Sequence, residues 1–181
     1  GNPERPEIYY QLEECIKGIA LASQTLGAPV VSGNVSLYNE TRGEGIYPTP
    51  VIGALGILDE IEKHATQAFR EPGDIVVLIG ASTVGCEAAT LAGSEYLELI
   101  HETVAGQPRI DLDREKAVQS ACRRAIRESV LGSAHDCSDG GLAVALAECC
   151  IAGGVGFRGT FAASGRWDAL LFGEEQSRII V

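Results

Sequence analysis

The sequence predicts an α+β, mixed α/β architecture in two parts, and three observations predict it. Apolar, β-branched runs at 29–31, 51–58 and 74–80 read as strands. Apolar residues at three-four spacing in 7–26 and a small-residue apolar face in 113–131 read as helices that alternate irregularly with those runs. A charged connector, 59–73, carries Glu71-Pro-Gly-Asp74, strong turn chemistry that places a boundary there. The expected division is 1–60, a connector 61–73, and 74–181.

Glu7 opens the first helix after the turn-like Gly1-Asn-Pro-Glu-Arg-Pro6. Ile8, Leu12, Cys15, Ile16, Ile19, Ser23 and Leu26 form its expected buried stripe, and Gly27 is placed to stop it. The first strand follows at Pro29-Val-Val31, then a polar loop, Thr41-Arg-Gly-Glu-Gly45. Val51 to Leu58 is the second expected strand, and Asp74-Ile-Val-Val-Leu-Ile-Gly80 is the third. Gly80-Ala-Ser-Thr-Val-Gly85 has two-glycine phosphate-loop spacing but lacks the Lys and hydroxyl that complete one, so it reads as a strand-to-helix turn. Ser94 caps a short helix from Gly93-Ser-Glu-Tyr-Leu97, and Asp113 is expected to cap a longer one running to about Leu131. The face Ala117, Ala121, Cys122, Ala125 and Val130 would pack that helix closely on a sheet. Asp139 or Ser138 would cap a helix from Leu142 to Cys150. Gly154 to Phe161 reads as a strand, Trp167 to Leu171 as a short turn or helix, and Phe172 to Val181 runs into a last strand.

Composition narrows the function classes. The 181 residues are 45% hydrophobic, ample for a core, and 22 are Gly. A net charge of −11 argues against a nucleic-acid partner, because phosphate neutralisation needs clustered Lys and Arg. Arg123, Arg124 and Arg127 read as a solvated helix face. Six cysteines form no CxxC pair, which suits free thiols in a reducing, cytoplasmic setting. Cys149-Cys150 is an alternative soft-metal pair without partners at ligand spacing. No apolar run approaches the roughly 18 residues of a membrane span, so no membrane partner is expected. The chain does not begin with Met and reads as excised from something longer, so the lack of a signal peptide says little.

Two polar clusters are candidate sites. In Pro29 to Glu40 the apolar run gives way to Ser32, Gly33, Asn34 and Ser36. Gly33 permits close approach to the backbone, Asn34 offers an amide oxygen to a hard cation such as Mg²⁺, and Ser36 shares its face in extended backbone. A glycine bulge with a hydrogen-bonding Asn explains the same residues. The second cluster is Ser133-Ala-His-Asp-Cys-Ser-Asp-Gly-Gly-Leu142. His135, Asp136 and Ser138 suggest a triad, but such members converge from separate segments, so turn and cap structure is the better reading. Asp136 and Asp139 could pair on a metal, and Gly140-Gly141 could turn backbone N–H groups to an anion.

Together with Gly1-Asn-Pro-Glu-Arg-Pro-Glu7, Ile46-Tyr-Pro-Thr-Pro50, Gly93-Ser-Glu-Tyr-Leu97, Ser138-Asp-Gly-Gly-Leu-Ala143 and Phe172-Gly-Glu174, these clusters resemble the small-type phosphoribosylformylglycinamidine synthases, the PurL family, along essentially the whole chain. The resemblance implies a PurM-like fold: the end of an N-terminal AIR-synthase-like lobe, then, from about Pro72, part of a C-terminal one, within the second half of a larger protein. It implies ATP-dependent conversion of formylglycinamide ribonucleotide to its amidine, with Mg²⁺, and with the glutaminase subunit PurQ and the small subunit PurS as partners. Gly33 would then touch ATP, Asn34 hold Mg²⁺ and Ser36 meet the ribonucleotide. The resemblance puts the catalytic residues outside this chain and makes Asp136, Asp139, Gly140, Gly141 and Glu174 candidates for an auxiliary nucleotide site. Glu175 stands where the family more often has Ser, and a carboxylate there would repel phosphate.

Two other functions fit the residues: a non-catalytic nucleotide-binding or assembly module, and another ATP-dependent enzyme of the PurM superfamily. The Asn34 and Ser36 pair favours the ligase. The lack of an in-chain base or nucleophile favours the module.

Overall fold

A computed structural model describes residues 1–80, 87–160 and 165–181. The chain forms two compact units, Gly1–Ile57 and Leu58–Val181.

The first unit is a long helix and extended chain. Helix α1, Pro6–Leu26, starts with Pro in its first turn, where a missing N–H costs nothing, and ends at Gly27 with φ 71°, as expected of a glycine C-cap. The predicted stripe is only half-buried at Ile8, Leu12, Cys15, Ile19 and Ser23, and Ile16 and Leu26 are exposed. The strands expected at 29–31 and 51–58 do not form. Regular pairing in this unit is confined to the two-residue strands β1 (Glu40–Thr41) and β2 (Glu44–Gly45), antiparallel with Thr41 opposite Glu44. Val31 is 91% exposed and Leu55 99%. An apolar run makes a strand only where neighbours accept its N–H and C=O groups and cover its side chains, and no other segment of the unit supplies them.

The second unit holds the core. Strand β3 (Leu78–Ile79) comes first, then a 3₁₀ turn at Ala88–Leu91, α2 (Glu95–His101), α3 (Leu112–Arg127), β4 (His135–Asp136), α4 (Gly141–Gly153), α5 (Trp167–Phe172) and β5 (Ile179–Ile180). The sheet order is β3-β5-β4, both pairs antiparallel, with Leu78 and His135 opposite Ile180. Val77 and Val181 exchange both backbone hydrogen bonds and extend the first pair. Ile180 is fully buried, and Phe69, Cys137, Leu142, Leu146, Cys149 and Leu170 pack with it. Helix α4 is apolar on most faces, as a buried helix must be, and it lies between α5 and the sheet.

Several boundaries differ from those expected. Only the end of 74–80 pairs as strand. Asp111, not Asp113, caps α3, accepting from Asp113 and Arg114 N–H. That helix stops at Arg127 and leaves Val130 exposed; Val118 and Cys122 carry its buried face. The N-cap of α4 is Gly140 in the left-handed region, with no side-chain bond from Ser138 or Asp139. Residues 154–160 form no strand. The expected turn at 80–85 and the end of the expected strand at 161 lie largely outside the described residues. Ser94 does cap α2, its Oγ accepting from Leu97 N–H at 3.3 Å. Among the described residues no helix is long and apolar enough to cross a membrane.

Candidate functional site

The second unit contains a cleft of about 490 Å³. Among the described residues five segments wall it: Ala92-Gly93 before α2, Pro108, the α3 residues Glu115 and Gln119, residues 136–139, and 174–179 leading into β5, except Glu175. The β4–β5 pairing brings the 136–139 segment beside the 174–179 segment, because Cys137 N–H donates to Arg178 C=O at 3.0 Å.

Three of the five residues expected at the auxiliary site, Asp136, Asp139 and Glu174, line the cleft. Glu174 Oε1 accepts from Gly140 N–H at 2.8 Å and from Glu95 N–H at 2.9 Å, so one carboxylate closes the starts of α4 and α2. Asp136 Oδ2 accepts from Ser138 Oγ at 2.7 Å. Among the described residues Asp139 makes no hydrogen bond or ion pair. Gly140 and Gly141 both have positive φ, 75° and 66°. A Cβ on Gly141 would lie 2.5 Å from Gly173 C=O, so only glycine lets α4 begin against that backbone.

His135 is not wired for catalysis. Its Nε2 lies 2.9 Å from Glu148 Oε2 and its Nδ1 3.5 Å from Asp136 Oδ1, while the Ser138 hydroxyl turns to Asp136. No nucleophile–base hydrogen bond joins Ser138 to His135, so the triad reading fails. Burial pushes the Cys137 thiol up to about 11 against a weaker opposing pull from Arg178, which keeps it neutral near pH 7 and poor as a nucleophile. Cys149 lies in the core, its thiol also raised by burial, and the described residues hold no cluster of three metal-ligating side chains.

Two functional-looking groups escaped the sequence reading. Glu115 reaches into the cleft from α3, accepting from Ser177 Oγ at 2.7 Å and from Gln119 at 2.8 Å. Arg178 lines the cleft although it is only 3% exposed. A charge directly ahead of the apolar Ile179-Ile-Val181 was the available signal for it. Glu175 faces a separate, smaller cavity of about 200 Å³ beside Arg109 and Arg114, so its departure from the family pattern does not put a carboxylate in the main cleft.

The first cluster lies in the other unit. Gly33, Asn34 and Ser36 are exposed and outside any regular element, and a Cβ on Gly33 would meet nothing within 4 Å. Ser36 C=O accepts from Asn39 Nδ2 at 3.4 Å.

Two family profiles match the chain: AIR synthase related protein, N-terminal domain, over residues 1–58, and AIR synthase related protein, C-terminal domain, over residues 71–181. The chain is 53% identical over 194 aligned residues to the phosphoribosylformylglycinamidine synthase subunit PurL of Anaeromyxobacter sp. (strain Fw109-5). It is 51% identical to that of Thermomicrobium roseum. Each match covers 100% of this chain but only 24% and 25% of the relative, so the chain spans about a quarter of the proteins it resembles. Among solved structures, PurLQS from Thermotoga maritima superposes with a TM-score of 0.57 over 92% of this chain and 26% of that one. At 18% identity that likeness speaks for the fold alone.

Proposed function

The chain belongs to the AIR synthase related protein family, and from that membership we propose that it is a portion of a phosphoribosylformylglycinamidine synthase. The carrying observation is the alignment of all 181 residues, at about half identity, with curated PurL subunits. In this reading the whole protein uses ATP to activate the amide oxygen of formylglycinamide ribonucleotide, and ammonia then displaces phosphate. PurQ and PurS are its proposed partners and the cytoplasm its proposed location. The two AIR-synthase-like portions are assigned to 1–60 and 74–181, joined by 61–73.

Within this portion the cleft of the second unit is the proposed auxiliary nucleotide site. Asp136 and Asp139 present hard carboxylate oxygens, and two carboxylates suit Mg²⁺, which keeps waters and phosphate oxygens as its other ligands. Bound there, the ion would neutralise the acidic wall and accept phosphate oxygens. Glu174 supports the site indirectly by fixing the starts of α4 and α2. In the first unit Gly33 is assigned to ATP, Asn34 to Mg²⁺ and Ser36 to the ribonucleotide. Their exposure leaves these groups accessible to ligands.

Asn34→Leu in the complete synthase tests the reading. Loss of one oxygen ligand should lower kcat/KM for ATP at least about 100-fold, or about 2.7 kcal/mol of transition-state stabilisation. The melting temperature without nucleotide should stay put, because Asn34 is exposed. Near-normal ATP kinetics would remove the metal assignment. A wild-type synthase that makes no amidine from the ribonucleotide, ATP and ammonia would remove the function itself.

A further inference from the structure

We propose that Arg178 is the phosphate-recognising group of the cleft, and that the ligand it takes is a polyphosphate chelated to a divalent cation rather than a bare anion. This rests on the reading of the cleft as a nucleotide site and specifies what that site recognises.

The argument begins with an unbalanced charge. Arg178 is a guanidinium at 3% exposure, and buried charges are ordinarily paired with an opposite charge. Here Nε donates to Glu175 C=O at 3.2 Å and Nη2 donates to Gly173 C=O; both acceptors are neutral backbone. No carboxylate lies within ion-pair distance of it among the described residues. Neither undescribed segment, 81–86 or 161–164, contains an acidic residue. Among the described residues Nη1 has no hydrogen-bond partner, yet it is not among the buried atoms left unsatisfied, so it keeps some solvent access. Arg178 is itself part of the cleft lining, so the cleft is the space assigned to that nitrogen. Two carbonyl bonds hold the plane of the group, leaving Nη1 as a preset donor for an oxyanion.

The acidic lining of the cleft rules out a bare anion. Glu115, Asp136, Asp139 and Glu174 also line the cleft, and four carboxylates would repel free phosphate. Among the described residues Asp139 has no partner, and Asp136 receives the Ser138 hydroxyl and, at 3.5 Å, His135 Nδ1. A divalent cation on these two carboxylates cancels the repulsion, and its phosphate oxygens then reach Arg178. The cleft therefore offers carboxylates to the metal and a guanidinium to the phosphate.

Calorimetric titration of the 181-residue chain with Mg²⁺ alone, with Mg²⁺ and inorganic pyrophosphate, and with pyrophosphate in excess EDTA tests this. The chelate should bind and chelator-treated pyrophosphate should not. Arg178→Lys keeps the charge and loses the fork, so it should weaken the chelate at least about tenfold while Mg²⁺ alone binds as before. A second measurement needs no variant. The Arg178 side-chain Nε–Hε resonance of the unmodified chain, assigned by through-bond correlation, should move with the chelate and stay still with Mg²⁺ alone.

Chelate binding with a silent Arg178 signal, or an Arg178→Lys chain that folds and binds the chelate normally, overturns the proposal and leaves the nucleotide site standing. Equal binding of pyrophosphate with and without EDTA overturns the chelate requirement. No binding of either Mg²⁺ or the chelate removes the nucleotide site together with the proposal.

Discussion

Asp168 shows how a pair of exposed side chains can be read for its response to pH. Arg166 reaches it with two guanidinium nitrogens, Nε at 2.9 Å from Oδ1, and Ala169 N–H donates to the same oxygen. The Arg166 hydrogen bond is the main reason its carboxyl titrates lower than usual, at about 2. A depressed folded-state value stabilises the fold above the unfolded carboxyl value. That contribution is lost as pH falls through about 2. Carboxyl ¹³C titration should therefore place Asp168 below the other aspartates, and Arg166→Gln should bring it back toward about 3.9. An unshifted midpoint in the unmodified chain would show that the pair does not persist in solution. At this scale the sequence was informative about residue type and poor about wiring. Asp136 and Ser138 were visible as a cluster, but their bond to each other appears only when the turn is folded. Arg178 stayed hidden because its place ahead of the apolar Ile179-Ile-Val181 hints at burial but does not by itself tell a buried guanidinium from a solvated one.

Helix α4 is the element on which the second unit depends. Its start is held by Gly140 and Gly141 in left-handed conformation, with Glu174 accepting the Gly140 N–H. Gly141→Ala would strain φ and press a methyl group into the Gly173 carbonyl. We expect a loss of about 3 kcal/mol, read as a lower denaturant midpoint at unchanged slope. A variant as stable as the parent would mean that the 172–174 backbone yields at little cost. Caps that depend on local chemistry, Gly27 and Ser94, were legible in the sequence. The α4 cap was not, because the group that closes it comes from 34 residues away. Asp111 won over Asp113 for a local reason: the helix begins at Leu112, two residues earlier than expected, and places Asp111 at the cap.

For the whole molecule, the two units differ in how well their sequence accounts for them. In Leu58–Val181 the alternation of helix and strand led to a true core around Leu142, Leu170 and Ile180. In Gly1–Ile57 the apolar runs were read correctly as apolar but not as exposed, because strand formation depends on partners that the run itself does not encode. Val31, Val51, Leu55 and Ile57 stand in solvent, well beyond what a typical monomer leaves uncovered in one short stretch. The isolated chain should therefore bind a hydrophobic dye such as ANS and self-associate as concentration rises. Sedimentation that stays monomeric, with no dye response, would show that these segments find cover within the chain.

The three-stranded sheet also sets an order of events. Its middle strand, β5, is the last of the three in the sequence, so neither Leu78 nor His135 has its ladder partner until Ile180 is made. During synthesis β3 and β4 emerge with nothing between them, and neither can pair with the other across the gap. Closing so long a loop costs on the order of 4 kcal/mol of chain entropy before the ladder gives anything back. On a ribosome, then, α3 and α4 can coil as they appear, but the sheet arrives in a single late step. The cleft whose loops it aligns comes into being at that same moment.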